Sequence, residues 1–239
     1  MTQPSTNGGT PASSGRTPAQ GNRLDPWYDV YADRAHNLRA SEIRALFSVV
    51  SRPEVVSLAG GMPNLKDLPL DRLAASAEKL IRNHGAQAMQ YGSGQGWEVL
   101  RERITEVMSY DGIVGADPDD VVVTTGSQQA LDLVTELFVN PGDVILAEAP
   151  SYVGALGVFR ARQADIVHVP MDENGIIPEA LVETIRDVRA SGRTIKFIYI
   201  IPNYHNPAGV TLSAERRPII AEICLREHVL IVEDNPYGL

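Results

Sequence analysis

From Val121 onward the chain keeps alternating between two hydrophobic rhythms. VVVTT, DVILAEAP, ADIVHVPM, TIKFIYIIP and VLIVEDN are short runs rich in Val, Ile and Leu, each bounded by turn residues. Such runs predict strands buried on both faces. Between them the apolar positions fall at helical spacing. A helix is predicted over 128–138, with Ala130, Leu131, Val134, Leu137 and Phe138 facing inward. Others are predicted over 152–162, weakened by Gly154 and Gly157, over 178–189 with a proline in the first turn, and over 213–227. Strand–helix alternation of this kind predicts an α/β fold with a mainly parallel sheet flanked by helices. Upstream, Leu38, Ile43, Leu46 and Phe47 repeat near helical spacing. Two amphipathic helices follow, one carrying Leu73, Ala77, Leu80 and Ile81, the other Val99, Leu100, Ile104, Val107 and Met108. The glycine-rich MQYGSGQGWE joins them.

Residues 1–25 break the pattern. MTQPSTNGGTPASSGRTPAQGN is rich in Ser, Thr, Gly and Pro and has no apolar core of a secretory signal. It cannot bury enough apolar surface to offset its ordering entropy, so a disordered tail is expected. The expected organisation is that tail, a helical arm over 26–110, and a sheet-bearing domain over 111–239. The net charge of −9 argues against a nucleic-acid surface, and no apolar run is long enough to span a bilayer. The single cysteine, Cys224, lies in the helical AEICLREH and reads as a buried, inert thiol. That suits a reducing cytoplasm.

Four strand ends carry candidate chemistry. In TTGSQQALDL a strand runs through Gly126 into a helix. Its first amides, with Ser127 and Gln128, would suit a phosphate, although a plain helix cap has the same form. In EAPSYVGAL, Tyr152 could lie over a flat heterocycle or pack on the sheet edge. In IPNYHNPAG, the carboxamides of Asn203 and Asn206 could donate to a phenolate oxygen or make an ordinary Asn-Pro turn; His205 reads as a bystander. In VEDNPYG, Asp234 at the end of a central strand would be partly buried and would need a cationic partner. A protonated ring nitrogen is one such partner, and an Asp-Asn-Pro turn is the alternative. Pyridoxal phosphate (PLP) needs all four features at once.

SLAGGMPN, QYGSGQGWEVLRERI, TTGSQQALDLV, APSYVGAL, PNYHNPAGVTLS and VEDNPYG together resemble the class I/II aminotransferases of PLP fold type I, in the aminoadipate/kynurenine/aromatic branch. The resemblance runs from about Arg39 to Leu239. It implies that Gly126, Ser127 and Gln128 hold the phosphate, Tyr152 stacks on the ring, Asn206 and Tyr237 bond its phenolic oxygen, and Asp234 its nitrogen. Tyr91 resembles the tyrosine that crosses a homodimer interface to the neighbour's phosphate. Arg44, Gly60 and Gly61 match positions lining the substrate pocket. The implied reaction passes an amino group from an L-amino acid to a 2-oxo acid, with no metal.

The resemblance also implies a Schiff-base lysine, a carboxylate-binding arginine and a small C-terminal domain beyond Leu239. The three lysines present, Lys66, Lys79 and Lys196, match none of these positions. The expectation is an incomplete large domain that lacks its catalytic lysine and is inactive alone. The strand VVVTT is expected to show an unpaired edge. A PLP-binding effector domain of a transcription regulator and a non-catalytic dimerisation module are the alternatives.

Overall fold

The computed structural model describes residues 25–37, Val55, Leu65 and 67–238. Arg44, Gly60, Gly61 and Lys66 lie outside the described residues, as do the expected tail up to residue 24 and the helical spacing at 38–47. The chain divides into two units, Met1–Asn37 and Leu38–Leu239. In the first, two short 3-10 turns run over Tyr28–Val30 and Asp33–Asn37.

The second unit begins with α1 (Leu70–Ala88) and α2 (Glu98–Tyr110). Both form where predicted. Their apolar positions are not covered, however: Leu73, Ile81, Leu100 and Val107 are all exposed. A buried arginine anchors α2. Arg101 donates to the Pro118 carbonyl at 2.6 Å and to Asp119 at 2.8 Å.

The sheet contains β1 (Val144–Ala149), β2 (Asp165–Asp172), β3 (Gly175–Ile176), β4 (Ile195–Ile200) and β5 (Leu230–Glu233), in the order β3-β2-β1-β4-β5. All neighbours are parallel except the short β2–β3 pair. The helix α3 (Ser127–Phe138) leads into β1, and α4 (Val153–Ala161), α5 (Pro178–Ala190) and α6 (Arg216–Arg226) make the crossovers. Period-two alternation splits the core. Val144, Leu146, Ile198 and Ile200 pack with residues of α5 and α6. Ile145, Ala147, Phe197 and Tyr199 pack with residues of α3 and α4.

Three expectations fail. VVVTT is not a strand. Val121 closes a local turn onto the Pro118 carbonyl, and Val123 N–H donates to the Gln95 carbonyl at 2.8 Å, but residues 121–124 join no ladder. Both edges of β1 are already taken by β2 and β4. Leu137 and Phe138 face outward, while Leu131 and Thr135 are the buried residues of α3. Finally, β5 is an edge strand of the described sheet, so Asp234 does not follow a central strand.

A bidentate ion pair clips the β2–β3 corner to α6. Arg216 reaches the two Asp172 oxygens at 2.6 and 2.8 Å and also the Gly175 carbonyl at 3.0 Å. Arg216, followed by the Asn174 amide, holds the Asp172 carboxyl below its usual value of 3.8. A carboxylate with a depressed folded-state pKa contributes stability above its unfolded pKa and loses it as pH falls through the folded one. Asp172→Asn is therefore expected to flatten the acid limb of the stability–pH curve below about pH 4. Urea unfolding at stepped pH measures this; parallel curves for both proteins would contradict it.

Candidate active site

The strand tips of β1, β4 and β5 share one end of the sheet with the N-termini of α3 and α4. At α3, Gly126 is the cap residue with φ +90 and ψ 164, a conformation that only glycine adopts without strain. It supplies no capping side chain, and Ser127 and Gln128 are exposed. Helix-start amides left uncapped in this way, with about half a positive charge behind them, form an anion site. The loop before them is tied from within. The Gln129 side chain turns back to accept the Thr125 N–H at 2.7 Å and its hydroxyl at 2.8 Å. Gln128 in turn reaches the Gly154 carbonyl at 3.4 Å, linking the starts of α3 and α4.

Tyr152 is half-buried and packs against the core cluster containing Phe197 and Tyr199. Its ring lies directly over Gly154, where an added Cβ would sit 2.4 Å from a ring carbon. The glycine that weakens α4 is thus the space into which Tyr152 folds.

Asp234 follows β5, with its N–H donating to the Ile200 carbonyl at 2.9 Å. Its Oδ2 accepts the Tyr199 hydroxyl at 2.6 Å, and Oδ1 has no hydrogen bond among the described residues. Burial first, and then the Asp234 carboxylate, push the Tyr199 phenol far above its usual range; Tyr152 adds to the effect. Tyr199 therefore stays a proton donor, and the second oxygen of Asp234 is left for another partner. Asn206 and Tyr237 are both exposed and line one hollow of ≈ 530 Å³ beyond these tips.

The structure thus links Gln128, Tyr152 and Asp234 through Gly154 and Tyr199, and pairs Asn206 with Tyr237. Tyr91 is apart from them. It is fully exposed and lines a different cavity of ≈ 510 Å³ with His84, Trp97 and Arg101. Lys196 pairs with Asp143 at 3.2 Å at the opposite end of the sheet, where β4 begins. Lys79 is exposed. Asn203 is tied into a side-chain chain: Arg217 donates to it at 2.7 Å, and it donates to Asn235 at 2.8 Å. Sequence reasoning missed Tyr199, the partner of Asp234. Its only signal was a phenol in a strand whose other inner residues are apolar. It also missed Glu148, whose signal was a charge in an apolar run.

The residues present suit a flat phosphorylated cation: an uncapped helix start, an aromatic face, a free carboxylate oxygen, and a phenol and a carboxamide around one hollow. Among the described residues no cluster of His, Cys, Asp and Glu could hold a metal ion, and no helix is long and apolar enough to cross a membrane.

Comparisons with known proteins fit this geometry. Residues 53–239 match the family model for aminotransferase class I and II. Aromatic-amino-acid aminotransferase 1 of Thermococcus litoralis is 38% identical over 208 residues, covering 87% of this chain and 50% of that protein. The crystal structure of Pyrococcus horikoshii kynurenine aminotransferase in complex with PMP superposes with a TM-score of 0.82 at 34% identity, covering 90% of this chain and 53% of the other. The α-aminoadipate aminotransferase of Thermus thermophilus, complexed with N-(5′-phosphopyridoxyl)-L-leucine, superposes with a TM-score of 0.74 at 33% identity, covering 87% and 49%. The chain spans about half the length of the curated relatives it matches.

Proposed function

This chain belongs to the class I and II aminotransferases, and from that premise we propose that it carries the cofactor-holding half of a PLP-dependent enzyme that transfers an amino group from an L-amino acid to a 2-oxo acid. The observation that carries the reading is the Tyr199–Asp234 pair, 2.6 Å apart, which leaves one carboxylate oxygen free at the end of the sheet where α3 starts uncapped. Bound PLP supplies an electron sink for the carbon next to the amino nitrogen.

The chain's own residues do the rest. Ser127, Gln128 and the amides after Gly126 hold the phosphate, where the α3 dipole favours a dianion. Asp234 holds a proton on the ring nitrogen by keeping a negative charge next to it. Tyr199 donates to the outer oxygen of Asp234 and so fixes which oxygen faces the ring. Tyr152, seated over Gly154, would cover one ring face. Asn206 and Tyr237 donate to the phenolic oxygen from the hollow they share.

Substrate-pocket roles for Arg44, Gly60 and Gly61 belong to the same proposal. So does a homodimer in which the fully exposed Tyr91 reaches the phosphate bound by a second copy. A cytoplasmic location is proposed too. Burial pushes the thiol of its lone cysteine, Cys224, up to about 11, so the thiol is not a nucleophile near neutral pH.

The test is a titration of the purified chain with pyridoxamine phosphate (PMP), which needs no lysine, followed by calorimetry. Saturable binding is expected, with stabilisation of about 2.7 kcal/mol at a hundredfold excess over Kd. A flat titration and an unmoved melting curve would overturn the reading.

A further inference from the structure

Glu148 lies in β1 and carries a carboxylate that the proposed roles above leave unused. Its Oε2 accepts the N–H of Ile201, just past β4, at 2.8 Å. The same oxygen sits 3.1 Å from Nε2 of His205, and both side chains are 1% exposed. The other ring nitrogen, Nδ1, accepts the Ala208 N–H at 3.3 Å, so the ring proton belongs on Nε2, facing the carboxylate. The His205 backbone is fixed as well. It donates to the Val210 carbonyl at 2.7 Å and accepts from the Gly209 N–H at 2.6 Å. Yet Nε2 makes no aligned hydrogen bond, so acid and imidazole meet off-axis. From the next strand, the His168 ring stands 3.2 Å from the Glu148 carbonyl.

Burying a carboxylate against an imidazole is a poor way to stabilise a fold. An apolar pair of equal volume does as well or better, and buried polar pairs earn their place by specifying one arrangement. The arrangement specified here is local. Glu148 stands four residues before Tyr152 in the chain, and His205 immediately precedes Asn206. The pair therefore joins the strand that delivers the ring-covering tyrosine to the loop that delivers the carboxamide.

We propose that Glu148 and His205 form a positioning pair that sets the carboxamide of Asn206 against the ring's phenolic oxygen. The inference rests on the reading of Asn206 given under Proposed function. Neither residue touches the cofactor; each acts through Asn206.

The test is a double-mutant cycle on PMP affinity, run on the whole 239-residue chain. His205→Gln is expected to weaken PMP binding by about tenfold in the parent. In an Asn206→Ala background it should change affinity less than about twofold, because the group it positions is gone. Glu148→Gln keeps an oxygen for the Ile201 N–H and removes the charge. It should show the same loss of effect without Asn206, and it decides the matter if His205→Gln fails to fold. Equal weakening with and without Asn206, or no weakening in the parent, overturns the positioning role. A parent chain that binds no PMP removes the site itself and this inference with it. A parent that binds, with additive variants, removes only the inference.

Discussion

Asp234→Asn is expected to weaken PMP binding by about 10–100-fold while leaving the fold in place. Asparagine keeps the size of the side chain and an oxygen for the Tyr199 hydroxyl. What it loses is the charge that holds a proton on the ring nitrogen, and a hydrogen bond to a charged group is worth more than a neutral one. The same titration used for the parent measures the loss; an unchanged Kd would remove Asp234 from its role. The variant also has a signature without ligand. The Tyr199 phenol is held above its ordinary value of 10.0, chiefly by burial and next by its hydrogen bond to Asp234. A raised folded-state pKa contributes stability below the unfolded pKa and loses it as pH rises beyond. Stability should therefore fall above about pH 10 in both proteins, since burial remains, but the fall should level off at a lower pH in Asp234→Asn.

The α/β class and the parallel sheet were legible because strands buried in a sheet read as near-continuous apolar runs, and β1 and β4 carry that mark most clearly. VVVTT carries it too and is not in the sheet. An apolar run reports a preference for burial, whereas a strand is a relation between two backbones, and 121–124 has no strand to pair with among the described residues. The two-residue β3 was invisible for the opposite reason: it is too short to show a pattern, and it is held by Arg216, by pairing with β2 and by the buried Ile176. At the candidate site, glycine marked the backbone turn at 126 and the helix start that carries Gln128, and the strand pattern put Tyr152 and Asp234 just past strand tips. It could not reveal Tyr199 or Glu148. Each sits inside a strand, where its partner is fixed by which strands become neighbours, and that is settled by the whole sheet.

Phe159→Ala is expected to destabilise the chain by about 3–5 kcal/mol. Phe159 is wholly buried and meets Phe197 and Tyr199 edge-to-face, with ring centroids 5.7 and 5.4 Å apart. Truncation removes both ring contacts and leaves a cavity under α4 that close-packed neighbours cannot fill. The urea midpoint should fall without a change in slope. By contrast, Leu225→Ala on the outer face of α6, 79% exposed, should stay within about 0.5 kcal/mol of the parent. A Phe159→Ala loss below about 1 kcal/mol would mean that the α4 layer is far looser than its packing indicates.

The strand order has a consequence for how the molecule is made. Of the described strands, β1 emerges first from the ribosome, yet it ends between β2 and β4, and the residues of both are synthesised later. The sheet must therefore grow outward in two directions from its oldest member. Glu148 waits long: the backbone N–H it accepts, that of Ile201, lies more than fifty residues downstream. A nascent chain halted before that point carries a lone acid in the middle of its most apolar strand. Burying that acid before its partners exist is costly, because an unpaired carboxylate loses its water without gaining a hydrogen bond.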